Sequence, residues 1–189
     1  EIGMTNIRFD SIEDYRDIET LNLYREKVIV GNEEPEQVME SIYAKSRDNA
    51  RTPFQWSDNP QAGFTSGEPW IKVNPNYKEI NAKQSVEDPN SIYHYYRKLI
   101  QLRKQYPIIV YGDYQLLLPE HEQIFAYLRI YQDQKLLVIT NFSEDNIPFE
   151  LPVDVEFSAN DLLISNYEMN DNNFNKFILR PYEARVYLV

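Results

Sequence analysis

The sequence predicts an α+β chain in two parts: a helical first part broken by a long ordered loop, then an antiparallel β-sandwich. Three observations predict this. Apolar residues recur with helical spacing before residue 52 and again from Ile92 to Leu102. Residues 52–88 lose that spacing but stay rich in Pro, Gly and aromatic side chains. Beyond Pro107 the period changes from helical to alternating, with turn residues at short intervals. The boundary falls near 106/107, giving domains 1–106 and 107–189.

In chain order, Glu1-Ile-Gly-Met4 reads as the tail of a buried strand entering a loop. Ser11-Ile-Glu-Asp14 resembles a capping box, with the Ser11 hydroxyl facing amides one turn on. Ile18, Leu21, Tyr24 and Val28 then make one apolar helical face, and Gly31-Asn32 stops it. Pro35 suits the first turn of a second helix, whose stripe is Val38, Met39, Ile42 and Tyr43. The loop at 52–88 holds Trp56, Phe64, Trp70 and Tyr77, too many aromatic groups for a disordered segment. Asp88-Pro89 reads as cap and first helical position of a third helix, with Ile92, Tyr95, Tyr96, Leu99 and Leu102 on its apolar face and Tyr106-Pro107 at its end. Candidate strands follow at Ile108–Tyr111, Tyr114–Leu118, Ile124–Tyr131, Leu136–Phe142, Phe149–Leu151, Asp161–Ser165, Phe174–Leu179 and Glu183–Leu188, with Asp133-Gln134 as a tight turn. Such a series argues for a sandwich.

The bulk numbers exclude several functions. Of the 189 residues, 42% are hydrophobic, enough for a packed core. Asp and Glu outnumber Lys and Arg by 30 to 19, a net charge of −11, and no basic patch is visible, so nucleic acid is a poor partner. Cysteine is absent, which removes disulfides and thiolate sites and suits a reducing compartment. No apolar run approaches the roughly 20 residues of a membrane span. The chain opens at Glu1 without Met, as a fragment or a processed product would.

The densest chemistry lies in Ser46-Arg47-Asp48-Asn49-Ala50-Arg51-Thr52-Pro53-Phe54-Gln55-Trp56. Two arginine forks flank acceptors, and an aromatic tail follows. This composition suits the wall of a pocket. Arg47 and Arg51 read first as structural ion-pair partners of nearby carboxylates and second as a grip on substrate oxygens. Asp17 and Glu19 favour a helix start by charge alone. Trp56, Phe64 and Trp70 read as core or loop anchors before they read as sugar platforms. His94, on a helix flank, and His121, in a turn, have no partner at metal-ligand spacing. The Gly63–Gly67 pair lacks the lysine of a phosphate loop, and no G-x-S-x-G is present. The residues alone give a pocket wall without a catalytic centre.

A family resemblance enters here. Arg47-Asp48-Asn49-Ala50-Arg51-Thr52-Pro53-Phe54-Gln55-Trp56, then Ala62-Gly63-Phe64-Thr65, Pro69-Trp70-Ile71, Val73-Asn74-Pro75-Asn76-Tyr77 and Ile80-Asn81, resembles the oligo-1,6-glucosidase group of the alpha-amylase superfamily. Tyr15-Arg-Asp-Ile-Glu19 and Leu179-Arg-Pro-Tyr-Glu-Ala184 extend the likeness over essentially the whole chain. Phe54 stands where many relatives carry Met.

The resemblance implies a (β/α)8 barrel followed by a C-terminal antiparallel β-domain. Residues 1–106 would be the loop and helices after the eighth barrel strand, and 107–189 the β-domain. Barrel enzymes build their sites from loops at the strand C-termini. The implied activity belongs to carbohydrate metabolism: retaining hydrolysis of α-1,6 or related α-glucosidic bonds of oligosaccharides from the non-reducing end, by an Asp nucleophile, a Glu acid/base and a further Asp. In the family those carboxylates precede the position where this chain begins. The resemblance therefore assigns no catalytic residue here and expects the chain alone to be inactive. It assigns Arg47 to the grip on the non-reducing glucose, Glu19 to the next sugar, and Arg51 to holding the same wall by ion pairs. It implies no cofactor and shows no calcium cage, and it gives the missing upstream barrel as partner. Cytoplasmic location is the family habit. Residues 1–106 are expected to be partly disordered or to self-associate without the barrel, and the β-domain to fold by itself. The competing expectation is a free-standing carbohydrate-binding or structural β module.

Overall fold

The computed structural model describes residues 1–152, 158–169 and 176–189. The chain divides into two compact units, Glu1–Arg97 and Lys98–Val189, and the division falls inside one helix.

In the first unit, helix α1 (Ile18–Tyr24) runs on through a π-helical segment, Arg25–Val30. Helix α2 spans Pro35–Lys45, with Pro35 in its first turn as the sequence suggests. Ile7, Phe9, Tyr15, Val38, Ile42 and Ile71 form the core, with Leu21, Tyr24, Val28 and Met39 packed on it. Ile18, expected on that face, is exposed. Residues 52–88 are ordered by short 3-10 turns, such as Pro75–Lys78, and by helix α3 (Ala82–Glu87).

Two helix starts differ from the sequence reading. Ser11 accepts from the Glu13 amide but caps only the 3-10 turn Ile12–Asp14; the cap of α1 is Asp17, which accepts from the Thr20 amide. At the far end the helix stops at Gly31-Asn32 as the sequence suggests, with Gly31 as the cap and Asn32 in the left-handed position, φ 54°. Asp88 closes α3, and its Oδ1 accepts from the Asn90 amide at 2.9 Å. That local turn delays helix α4 to Ile92–Gln105, started by Ser91, whose Oγ accepts from the His94 amide at 3.4 Å. Of the α4 apolar face only Leu102 is buried; Ile92, Tyr96 and Leu99 are exposed.

The second unit holds two antiparallel sheets. One orders five strands β1-β2-β3-β7-β5: β1 Asp113–Leu117, β2 Ile124–Tyr131, β3 Gln134–Asn141, β7 Ala184–Leu188 and β5 Leu162–Ser165. The other pairs β4 (Ile147–Glu150) with β6 (Lys176–Leu179). Leu128, Ala126, Leu137 and Ile139 from the larger sheet meet Ile147, Phe149, Phe177 and Leu179 from the smaller one in a single core. This is the two-layer arrangement expected of a sandwich. The sequence-derived strand at Phe174–Leu179 begins outside the described residues.

Two local readings are corrected. Ile108–Tyr111 is a helical turn, α5, not a strand. Its β-branched run suits a sheet, but Pro107 starts a turn in which the Tyr111 amide reaches the Pro107 carbonyl at 2.8 Å. The β2–β3 hairpin turns on Gln132-Asp133 rather than Asp133-Gln134, because Gln134 already pairs with Tyr131. Gln132 takes the left-handed backbone, φ 55°.

Candidate functional site

The 3-10 turn Arg47–Ala50 follows α2 directly, with Ser46 as the shared cap. Its polar residues face opposite ways. Asp48 is fully buried, and its Oδ2 accepts from the backbone amides of Arg16 at 2.6 Å and Asp17 at 2.9 Å. Asn49 accepts from the Ile7 amide at 3.1 Å and donates to the Tyr43 carbonyl at 2.9 Å. Gln55, also fully buried, donates to Asn76 and to the Ile80 carbonyl. Arg47 instead points outward and meets Glu19 on the first turn of α1, Nη2 to Oε2 3.0 Å, with side chains 61% and 65% exposed.

Arg51 lies one layer below. Its Nη1 bridges Asp17 Oδ1 at 3.2 Å and Asp48 Oδ1 at 3.3 Å. Burial works against ionisation of Asp17, but the bonds from Thr20 and Arg51 outweigh it and hold its carboxyl below the ordinary range. Asp17 also accepts from the Thr20 hydroxyl, which lies 3.0 Å from the Ser46 hydroxyl. The result is a buried polar knot carrying an exposed arginine–carboxylate pair. Such a pair presents donors and acceptors side by side, the equipment for hydroxyl-rich ligands.

Of the three residues named from the sequence, Arg47 and Glu19 come together at the surface, and Arg51 sits behind them on Asp17 and Asp48. Asp48 escaped notice as an organiser; its only signal is its place between two arginines. Trp56, Phe64 and Trp70 are exposed, which leaves out the core half of the reading as core or loop anchors. His94 Nε2 lies 3.0 Å from the Val86 carbonyl, and His121 Nδ1 accepts from the amides of Gln123 and Ile124. Among the described residues no cluster of His, Asp and Glu has the form of a metal site, and no helix is long and apolar enough to cross a membrane. An open groove of about 800 Å³, lined by Arg8, Phe9, Tyr15, Met39, Glu40 and Tyr43, lies elsewhere on this unit and takes in none of the three.

Residues 1–112 match the alpha-amylase catalytic domain, and residues 124–186 match the C-terminal domain of the alpha-amylase SusG. The chain belongs to the alpha-amylase family. It is 60% identical to the oligo-1,6-glucosidase of Parageobacillus thermoglucosidasius, over all of this chain and 34% of that protein. It is 44% identical to the trehalose-6-phosphate hydrolase of Bacillus subtilis, over 99% of this chain and 33% of the relative. The crystal structure of Bacillus licheniformis trehalose-6-phosphate hydrolase superposes with a TM-score of 0.92 at 46% identity, covering 99% of this chain and 34% of that one. The chain thus spans about a third of the length of the relatives it matches. Relatives named for different substrates share this region, so the alpha-amylase likeness gives a glycosidase family and not a particular sugar.

Proposed function

We propose that this chain is the C-terminal part of a retaining glycoside hydrolase that cleaves α-1,6 or related α-glucosidic bonds of oligosaccharides from the non-reducing end. Its contribution is to bind sugar rather than to break the bond. The observation that carries this reading is the exposed Arg47–Glu19 pair raised on a buried knot, in a chain 60% identical to an oligo-1,6-glucosidase. Arg47 holds hydroxyls of the non-reducing glucose with two parallel donors, Glu19 accepts from the next sugar, and Arg51 keeps the wall in place. The nucleophile and the acid/base belong to an upstream barrel, which also covers the exposed apolar residues Ile92, Tyr96 and Leu99 of α4. The chain alone therefore turns over no α-glucoside, and without that barrel its apolar surface favours self-association. A cytoplasmic place fits the absence of cysteine.

The test joins the upstream two thirds of the P. thermoglucosidasius enzyme to this chain and follows isomaltose hydrolysis. Arg47→Ala is expected to lower kcat/KM by about tenfold to a hundredfold, the loss of a charged hydrogen bond of roughly 1.5–3 kcal/mol. An unchanged kcat/KM sinks the assignment, and turnover by the isolated chain, purified free of host glucosidase, sinks the claim that it only binds.

One observation favours the second reading, a non-catalytic sugar-binding module. On the larger sheet Tyr114 packs beside Tyr127 with ring centres 5.3 Å apart, and Phe125 beside Tyr127 at 5.5 Å; Tyr114 and Phe125 are exposed. Glycan binding by the isolated chain, lost in Tyr114→Ala, would support that module.

A further inference from the structure

We propose that Asp48 is a positioning residue: its buried carboxylate sets the spacing of Arg47 and Glu19. The inference rests on the reading that these two side chains bind the sugar.

The geometry is a closed ring. Asp48 Oδ2 holds the amides of Arg16 and Asp17, the two residues that lead into α1. Asp17 turns back to cap Thr20, one residue past Glu19. The Thr20 hydroxyl meets the Ser46 hydroxyl at 3.0 Å, and Ser46 Oγ accepts from the Asp48 amide at 3.3 Å. Arg51 closes the ring on its other side by bridging Asp17 and Asp48. Asp17, Thr20, Ser46 and Asp48 are all buried, so water does not compete strongly for these bonds. Glu19 and Arg47 lie far apart in sequence, and each sits next to a ring member, Glu19 before Thr20 and Arg47 before Asp48. Their separation is thereby set by the ring and not by their own long, exposed side chains.

Asparagine at position 48 keeps the shape but replaces one acceptor oxygen with a donor. That donor would face either the paired amides or the Arg51 guanidinium. The two segments then drift apart, and a small misplacement of a binding group is enough to lower the rate substantially.

The experiment is a double-mutant cycle in the same chimera, with kcat, KM and thermal midpoint read for isomaltose. Asp48→Asn is expected to lower kcat/KM about tenfold when Arg47 is present and less than about twofold in the Arg47→Ala background. A purely structural role would cost the same factor in both backgrounds, and that outcome, or no loss in either, overturns the proposal. Ser46→Ala loosens the same ring without removing a charge, and keeps the test open if Asp48→Asn does not fold. It is expected to lower kcat/KM about threefold with Arg47 present and leave the Arg47→Ala background unchanged. Equal losses in both backgrounds again overturn the proposal. The two readings fail differently: an Arg47→Ala change without effect removes the sugar-binding assignment, whereas a loss there with Asp48→Asn and Ser46→Ala neutral removes only the positioning role.

Discussion

In Lys98–Val189 the backbone pairs mainly with itself; in Glu1–Arg97, outside the helices, side chains supply many of its partners. The first arrangement is the ladder of β1, β2, β3, β7 and β5, where β2 and β3 stay in register from Ile124↔Asn141 to Tyr131↔Gln134. The second is a set of single ties. Asn49 holds Ile7 and Tyr43, Asn74 holds Thr5 and Asn6, Gln55 holds Ile80, and Asp48 holds Arg16 and Asp17. Buried backbone groups need partners in either case. A ladder spreads that need over many equivalent bonds. A tied loop concentrates it on a few residues and leaves the loop free to turn outward wherever a side chain is to be displayed. Arg47 is displayed in this way.

The largest expected effect is in the ladder unit, where one charged knot resembles those of the other unit. Glu183 is fully buried and accepts from Arg185 Nε at 2.8 Å and from Arg180 through both oxygens. Arg185, itself buried, also lies over the Phe177 ring. Glu183→Ala is expected to cost about 3–5 kcal/mol in urea unfolding, the usual cost of breaking a buried pair from one side. A loss under about 1 kcal/mol would show that the ladder tolerates the loss of this knot. Acid reaches the same knot. Burial opposes ionisation of Glu183, but Arg180 and Arg185 hold its carboxyl below the ordinary range, as Thr20 and Arg51 do for Asp17. Between the ordinary carboxylate values of about 4 and the depressed folded values, the unfolded chain binds more protons. The stabilisation is therefore complete above that window and is lost as pH falls through it. Urea midpoints at neutral and acid pH should show the decline, and Glu183→Gln should flatten it.

A smaller loss is expected from a tie without charge. Asn74 is buried, donates to the Thr5 and Asn6 carbonyls at 3.1 and 3.2 Å, and accepts from the Asn76 amide. Asn74→Ala leaves those carbonyls unsatisfied, at about 1–3 kcal/mol. Amide exchange in residues 5–7 and 74–77 should rise with it. Unchanged exchange there would mean that the loops are held by packing and that the contrast with the ladder is one of appearance.

What the sequence revealed follows the same contrast. Local periodicity found α2 through Val38 and Ile42, and alternation found β2 and β3. Local chemistry failed where two turns compete: Asp88 offered a cap and instead closed α3, and the Ile108–Tyr111 run offered a strand and instead made a turn after Pro107. Of the site, only Arg47, Arg51 and Glu19 could be named, by resemblance. Asp48, Asn49, Gln55 and Asn74 act across tens of residues, and no short-range pattern marks an Asn whose partner is a distant carbonyl. Nor does periodicity reveal that the α4 face of Ile92, Tyr96 and Leu99 is exposed in this chain; a helical stripe states that burial is favourable, not what supplies it.

The smallest effects test whether a tied loop stores backbone strain. Gln61, Ala62 and Gly63 take left-handed backbone in succession, with φ of 53°, 57° and 67°. The bonds that hold them there are short. The Ala62 carbonyl accepts from the amides of Trp56 at 2.9 Å and Ser57 at 3.0 Å, and the Gln61 carbonyl accepts from Phe64 at 2.9 Å. A side chain in this region costs roughly 1–2 kcal/mol, which glycine avoids. At Gly63 an added methyl would also meet Ser57 Oγ at 2.6 Å, so Gly63→Ala should destabilise the chain by about 1–2 kcal/mol. Gln61→Gly reverses the logic. It relieves the left-handed cost but gives the unfolded chain more freedom, an opposing contribution of about 0.4–1 kcal/mol. The net expectation is a stabilisation of less than about 1 kcal/mol, read as a small rise in thermal midpoint. Destabilisation by Gln61→Gly would show that the Gln61 side chain contributes more through its contacts than its backbone costs, and that the turn, like the knot around Asp48, is held by side chains.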